Sequence, residues 1–518
     1  MYLVKIYCIS LFFLFMLMSL MLKGNISFLT LSFNNFISDI SFTWSSKLMI
    51  YFTAIVLVLS FFIFLFSSFY MSEDIPINRF MAMMLFFIVS MLIVNNGNSC
   101  WTVWLGWEGL GISSYFLIMY YNNWKANNSA VVTIMLNRMG DFCLLISLLM
   151  FTQVLTWTLE NFSLSPLFIM LISLATITKS AQLPFSSWLP IAMAAPTPVS
   201  SLVHSSTLVV AGTILCIKFS AYYFFPYMIW LCLLGYITSL YSSMMAFLEK
   251  DLKKILAYST MSQIALVLFM LCTNLKELML MHIINHALAS AWLFMNIGIY
   301  IVFMFSNQDT RILYHGSMLL PVITSSVICL MVMCGITFTS SYYSKEYSLL
   351  FVMKEDTITF MVNMMIFLSF AYSSRMIYLF TFSGSNTMMP SKIYYPYIFL
   401  NNMITPLMIF NGWIFTNNYS LPLNLSWTSN KSWVLIFPVM ILIFCYKIIS
   451  AQMLNNNDLV YSLMNNSVMY MKYMADSMIK FATLSLNFNL LSFSNMSLTS
   501  ILLGTMMILL YLNFMYFL

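Results

Sequence analysis

Charge is what this chain has least of. Only 7% of its 518 residues are Asp, Glu, Lys or Arg, against 62% hydrophobic. Soluble domains carry about 25% charge, so water is excluded as the main solvent. The nine cysteines, at 8, 100, 143, 216, 232, 272, 329, 334 and 445, form no C-x-x-C pair and no His/Cys ligand spacing. An iron–sulfur cluster or zinc site is therefore not indicated. Gly-rich phosphate loops and the dinucleotide fingerprint are absent, which leaves nucleotide chemistry without a motif here. The net charge of +6 is spread thinly over short loops and supports no nucleic-acid surface. There are four arginines, Arg79, Arg138, Arg311 and Arg375. The start lacks the Arg- and Ser-rich amphipathic stretch of an imported organelle precursor.

What the chain does have is long apolar runs. Crossing about 30 Å of hydrocarbon takes roughly 20 residues of helix, and about fifteen runs reach that length. They centre near 6–22, 48–70, 80–94, 100–120, 129–152, 166–182, 199–219, 226–247, 255–272, 277–304, 317–335, 340–380 (two helices), 396–415, 433–450 and 498–518. The expectation is an all-α polytopic membrane protein of about 15–16 transmembrane helices. Closed barrels are the other way to satisfy backbone groups in lipid, and their short alternating strands are not seen. The first run follows Lys5 without an A-x-A-like cleavage site, and is read as a retained helix. The 48 Met and 47 Phe, with many Asn and Ile, match an A+T-biased genome and suit an invertebrate mitochondrial gene.

Charges within such runs cost about 2.5–3.5 kcal/mol each at the bilayer centre, so each needs a partner, a wet cavity or a task. Glu108, Arg138, Asp141, Lys179, His204, Lys218, His282, His286, Lys345 and Arg375 fall in or at the edge of them. For Lys218 and Arg375, near helix ends, structural glue or snorkelling is the favoured reading. Glu108 sits mid-run among glycines in WEGLGISSY, where a buried carboxylate can exchange a proton near neutral pH. Lys179 opens a stretch with prolines at 184, 190, 196 and 198, which predicts a broken helix and freed backbone groups. His204 follows 25 residues on as a proton acceptor. Lys253 and Lys254, in EKDLKKILAYSTMSQ, read from spacing as an interfacial collar. His282 and His286 share one helix face, as a metal pair or, better, a proton relay, because no acid or Cys completes a ligand set. GITFTSSYYSKE at 335–346 repeats the pattern of polar, poorly helical sequence beside a cation, Lys345. Two such interruptions, one in each half, point to internal repeats with a site in each.

WEGLG, NRMGD at 137–141, the block 179–207, DLKKILAYSTMSQ and YYSKE together resemble the antiporter-like membrane subunits of respiratory complex I. The matching segments cover roughly residues 80–380, and the 179–207 block resembles the subunit-5 branch more than the subunit-2 and subunit-4 branches. The resemblance implies two inverted five-helix repeats with broken helices, and a lateral amphipathic helix. On that basis the chain divides into N-terminal helices (1–79), repeats at 80–225 and 226–380, C-terminal helices (381–454), the lateral helix (455–497) and a terminal anchor (498–518). It also implies a multi-pass place in the inner mitochondrial membrane, beside the adjacent antiporter-like subunit 4, other complex I subunits and lipids, with no nucleic-acid partner. NAD, FMN, iron–sulfur clusters and ubiquinone would lie on other subunits, with no cofactor and no metal on this chain.

Carried over residue by residue, Glu108 and Lys179 resemble the family's glutamate–lysine pair, Asp141 the acid of its NRxGD motif, and Lys253 its central lysine. His204, His282 and His286 resemble its relay histidines, and Lys345 its terminal lysine. The implied function is proton translocation by making and breaking the Glu108–Lys179 interaction, with transfer through His204, Lys253, His282 and His286 to Lys345. Three departures stand out. Ser290 replaces a usual lysine, Thr337 and Ser341 replace proline and glycine, and only about forty residues remain for the lateral helix. The rival readings are a subunit of an Mrp-type cation/proton antiporter, whose bacterial chains lack this Met- and Asn-rich bias, and a purely structural arm.

Overall fold

In the computed structural model the described residues are 28–31, 40–42, 47–97, 100–151, 166–218, 225–273, 275–304, 306–310, 320–336, 339–352, 356–382 and six positions between 405 and 412. The expected first helix, the helices beyond 412, the lateral helix, the terminal anchor and Thr337 lie outside them.

Apolar runs without partners in water become helices because each helix satisfies its own backbone. Those described are α1 (Lys47–Tyr70), α2 (Ile77–Asn96), α3 (Cys100–Ile118), α4 (Trp124–Phe151), α5 (Pro166–Lys179), α6 (Trp188–Ala192), α7 (Thr197–Val199), α8 (Leu208–Lys218), α9 (Phe225–Leu248), α10 (Leu252–Phe269), α11 (Lys276–Phe303), α12 (Leu320–Cys334), α13 (Ser340–Val352) and α14 (Asp356–Phe382). Among the described residues eight helical stretches are long and apolar enough to cross a membrane, and Leu167–Lys179 and Val322–Cys334 are shorter apolar helices. One element was not expected: a small antiparallel hairpin, β1 (Phe28–Leu31) with β2 (Ile40–Phe42), ahead of α1. A search for runs of about 20 residues passes over strands of this length.

The chain divides between Leu234 and Gly235 into two compact units. Within the first, α2 packs on α3, α3 on α4, α4 on α5 and α5 on α8. The close approach of α3 to α2 requires its glycines, since a Cβ at Gly106 would fall 2.7 Å from Val94 Cγ2 and one at Gly109 2.9 Å from Ser90 Cβ. Within the second, α10 packs on α11, α11 on α12, and α12 on α14, with α13 against α11. Outward-facing Phe86, Leu105, Phe116, Met139 and Phe142 are large and apolar, as a lipid-facing surface requires.

Both expected breaks are present, and both helices stop in the same way. At the end of α5, Ala181 N–H bonds Thr178 O and Gln182 N–H bonds Ile177 O, with Ala181 in the left-handed region at φ 54°. At the end of α12, Gly335 N–H bonds Val332 O and Ile336 N–H bonds Met331 O, with Gly335 at φ 79°. These are Schellman closures, each turning on one left-handed residue. After the first break, Thr197–Val199 leads into a π-helix, Ser200–Thr207, and then α8; the N–H of Leu208 reaches back five residues to Val203 O.

Because left-handed backbone costs a residue with a Cβ about 1–2 kcal/mol, Gly335→Ala should destabilise the protein by that amount. Ala181→Gly should not destabilise it. Thermal inactivation midpoints of the two variants in native membranes check both signs.

Candidate proton-transfer sites

The first unit gathers its charges where α3, α4 and the end of α5 meet. Arg138 and Asp141 are three residues apart on α4 and so share a face. Asp141 and Lys179 are buried, with Lys179 fully inaccessible. Lys179 Nζ lies 3.8 Å from Asp141 Oδ1. It donates to the backbone carbonyl of Trp107 at 2.6 Å and sits 4.1 Å from the centroid of the Trp107 ring. The Trp107 indole N–H donates to the same Asp141 Oδ1 at 2.7 Å. One tryptophan thus holds both partners of a buried ion pair, its carbonyl and ring facing the ammonium and its N–H the carboxylate.

Glu108, the next residue on α3, points elsewhere. Arg138 Nη1 donates to its Oε2 at 2.5 Å, while Arg138 Nε stands 3.9 Å from Asp141 Oδ2. In place of a direct Glu108–Lys179 contact there are three ion pairs, Lys179 with Asp141, Arg138 with Asp141 and Arg138 with Glu108, so Arg138 and Asp141 stand between the two expected partners. The reason is helical geometry, since one residue turns a side chain by about 100°. Glu108 is carried to the side of α3 where Arg138 lies 45% exposed. His204, on the π-helix, is fully buried with its ring 6.1 Å from that of Trp188, centroid to centroid. Neither of its ring nitrogens has a hydrogen-bond partner among the described residues.

In the second unit the two neighbouring lysines part. Lys254 is half-exposed and pairs with Asp251 at 2.7 Å, an interfacial ion pair. Lys253 is buried. The collar reading holds for the first of these and not for the second. His282 and His286 are buried on α11. His282 lies in a chain of polar groups: its Nδ1 is 2.8 Å from Ser344 Oγ, its Nε2 is 3.2 Å from Gln263 Oε1, and Gln263 Nε2 donates to Tyr372 OH at 2.7 Å. His286, like His204, has no hydrogen-bond partner at either ring nitrogen among the described residues.

Lys345 closes the second break. It donates to the carbonyls of Met333 at 2.8 Å and Cys334 at 2.9 Å, and to Ser369 Oγ at 3.1 Å. The hydroxyl of Ser341 donates to Val332 O. Three successive carbonyls at the end of α12 are thereby satisfied by side chains of α13, which explains how this helix stops without the expected proline. Among the described residues no carboxylate lies within ion-pair distance of Lys345. Ser290, in place of a lysine, turns its hydroxyl back onto His286 O at 2.7 Å. Among the described residues no group of three or more His, Cys, Asp or Glu is placed to hold a metal ion.

Trp107, Gln263, Ser344, Ser369 and Tyr372 were not singled out by sequence reasoning. Trp107 and Gln263 stand inside the quoted motifs WEGLG and STMSQ, but their hydrogen bonds depend on helices far away in sequence.

The family described as "NADH:quinone oxidoreductase/Mrp antiporter, TM" matches residues 97–372. NADH-ubiquinone oxidoreductase chain 5 of Apis mellifera ligustica is 41% identical over 294 residues, which are 56% of this chain and 52% of that one. The chain 5 of Anopheles arabiensis is 38% identical over 355 residues, 65% of this chain and 90% of that one. The match thus spans about half the length of the Apis relative. Among solved structures, the Mrp complex from Dietzia sp. DQ12-45-1b is similar in fold, with a TM-score of 0.71 at 20% identity, covering 90% of this chain and 56% of that chain.

Breaking a buried ion pair from one side leaves an uncompensated charge, at a cost of about 3–5 kcal/mol. Asp141→Leu should therefore destabilise strongly, and adding Lys179→Met should recover most of the loss. A double-mutant cycle on thermal stability tests this; additive costs would show that the two side chains are not coupled.

Proposed function

Because the chain belongs to the NADH:quinone oxidoreductase/Mrp antiporter transmembrane family, we propose that it is a proton-translocating core membrane subunit of respiratory NADH:ubiquinone oxidoreductase. Its setting is the inner mitochondrial membrane, crossed many times, beside an adjacent antiporter-like subunit 4 and the other subunits of the complex. NAD, FMN, iron–sulfur clusters and ubiquinone belong to those other subunits, which supply the energy; this chain moves protons. The two helix sets, 80–225 and 226–380, are inverted repeats in this reading, and 455–497 forms a lateral helix.

The observation that carries the proposal is the buried Lys179–Asp141 pair at the foot of a broken helix. An ammonium excluded from water needs a counter-charge, and Asp141 supplies it. Arg138 lies within reach of both Asp141 and Glu108. With Arg138 bonded to Glu108, Asp141 is shared between Lys179 at 3.8 Å and Arg138 at 3.9 Å. If Arg138 releases Glu108 and closes fully on Asp141, Lys179 loses part of its counter-charge and releases its proton, and His204 stands in the same unit with two unengaged nitrogens. In the second unit Lys345 is held by carbonyls and a hydroxyl, a setting that accepts a charged or a neutral amine, while His282 with Ser344, Gln263 and Tyr372 offers a hydrogen-bonded path.

A second reading, an Mrp-type cation/proton antiporter subunit, draws on the fold likeness to the Dietzia Mrp complex. It predicts sodium-dependent transport without NADH. In the first reading the chain comigrates with NADH dehydrogenase activity in mild detergent, and Lys179→Met, assembled at the normal level, lowers proton uptake per NADH oxidised. Unchanged uptake in that assembled variant would sink the assignment.

A further inference from the structure

Two cations that this proton path leaves unused occupy matching places in the two units. Lys218, the last residue of α8, donates to the carbonyls of Val94 at 2.5 Å and Gly97 at 2.8 Å. Since α2 ends at Asn96, these carbonyls stand two residues before its end and one after it. Arg375 on α14 donates from Nη1 to Ala246 O at 3.1 Å and to Phe247 O, and from Nη2 to Glu249 O at 2.7 Å. Since α9 ends at Leu248, Ala246 and Glu249 again stand two residues before the end and one after. The order of elements agrees as well. Helix α2 opens the run of helices that α8 closes, and α9 opens the run that α14 closes, with a broken helix before each closing member.

Lys218 has no carboxylate within ion-pair distance among the described residues, whereas Arg375 also feels the attraction of the buried Glu249 carboxylate. What holds each is the end of a helix, whose last carbonyls have no partner within the helix and whose dipole favours positive charge. A side chain that bonds two carbonyls on opposite sides of a helix end also fixes where its own helix sits along its axis.

We propose that Lys218 and Arg375 are equivalent positioning residues, each stapling the closing helix of its run onto the C-terminal end of the opening helix. The proposal rests on the proton-translocating reading above. In the first unit the stapled helix continues directly from the π-helix that carries His204. In the second it carries Ser369, which binds Lys345, and Tyr372, which binds the Gln263 next to His282. The staples, one at the last residue of α8 and one seven residues before the end of α14, hold those groups in register.

The test is proton uptake per NADH oxidised, measured on the assembled complex in vesicles, for Lys218→Met and Arg375→Met beside Lys218→Arg and Arg375→Lys. Each methionine variant should lower the ratio about two-fold or more, while the exchanged cations, which keep the cap, restore it. Where methionine blocks assembly, Lys218→Gln and Arg375→Gln keep N–H donors without charge and are held to the same criterion. The proposal is overturned if these variants keep the normal ratio, if only one of the two sites matters, or if the exchanged cations fail as methionine does. Lys179→Met serves as the reference. A lowered ratio there with normal staple variants rejects the staples alone, and a normal ratio there rejects the proton-transfer reading and the staples with it.

Discussion

A helix that stops short inside hydrocarbon leaves carbonyls that solvent cannot reach, and much of this structure is a response to that constraint. Continuous helices export the difficulty to their ends, near the membrane surface. Broken ones cannot. At the end of α12, Ser341 and Lys345 reach back across the gap to three successive carbonyls, and the helix after the break serves as the cap for the helix before it. The amine of Lys345 is thereby part of the architecture as well as a candidate proton carrier. Its chemistry and the integrity of the break cannot vary independently.

The two candidate sites solve the problem of a buried amine differently. Lys179 has a carboxylate, an aromatic face and a carbonyl, all organised by Trp107 and Asp141. Lys345 has only neutral dipoles among the described residues. A charged partner ties the first site to the position of Arg138, which can choose between two acids. Neutral dipoles tie the second to the shape of the helix ends. One site is suited to switching by charge rearrangement and the other to holding a proton at a fixed place.

The spans were legible in the sequence because lipid imposes a coarse length rule on apolar runs, and the first break was legible because four prolines in fifteen residues, at 184, 190, 196 and 198, each remove a backbone donor from a continuous helix. The second break was legible from Gly335 and the hydroxyl-rich run after it, although the means of closure, a serine hydroxyl and a lysine, had no sequence signature. Pairings were harder. Glu108 and Trp107 are neighbours in sequence, yet it is the tryptophan that touches Lys179, while Glu108 bonds Arg138. Lys253 and Lys254 are indistinguishable by spacing, yet one is buried and the other is an interfacial ion pair. In both cases the answer lies in which side of a helix meets its neighbour, information that resides in packing. Lys218 and Arg375 read as structural glue, and each does bind helix ends; the match between their positions appears only when the two helix ends are aligned.

The π-helix at Ser200–Thr207 places one residue more in its turn than an α-helix would. In the coding sequence that extra residue amounts to one codon. A one-codon deletion in this segment could be absorbed by relaxation to ordinary α-helix with no loss of helical hydrogen bonding, and it would rotate what lies on one side by about 100° relative to the other. His204 would then face a different neighbour while Lys218 kept its place. Length variation among related genes in these eight positions is thus a record of where the histidine is allowed to point.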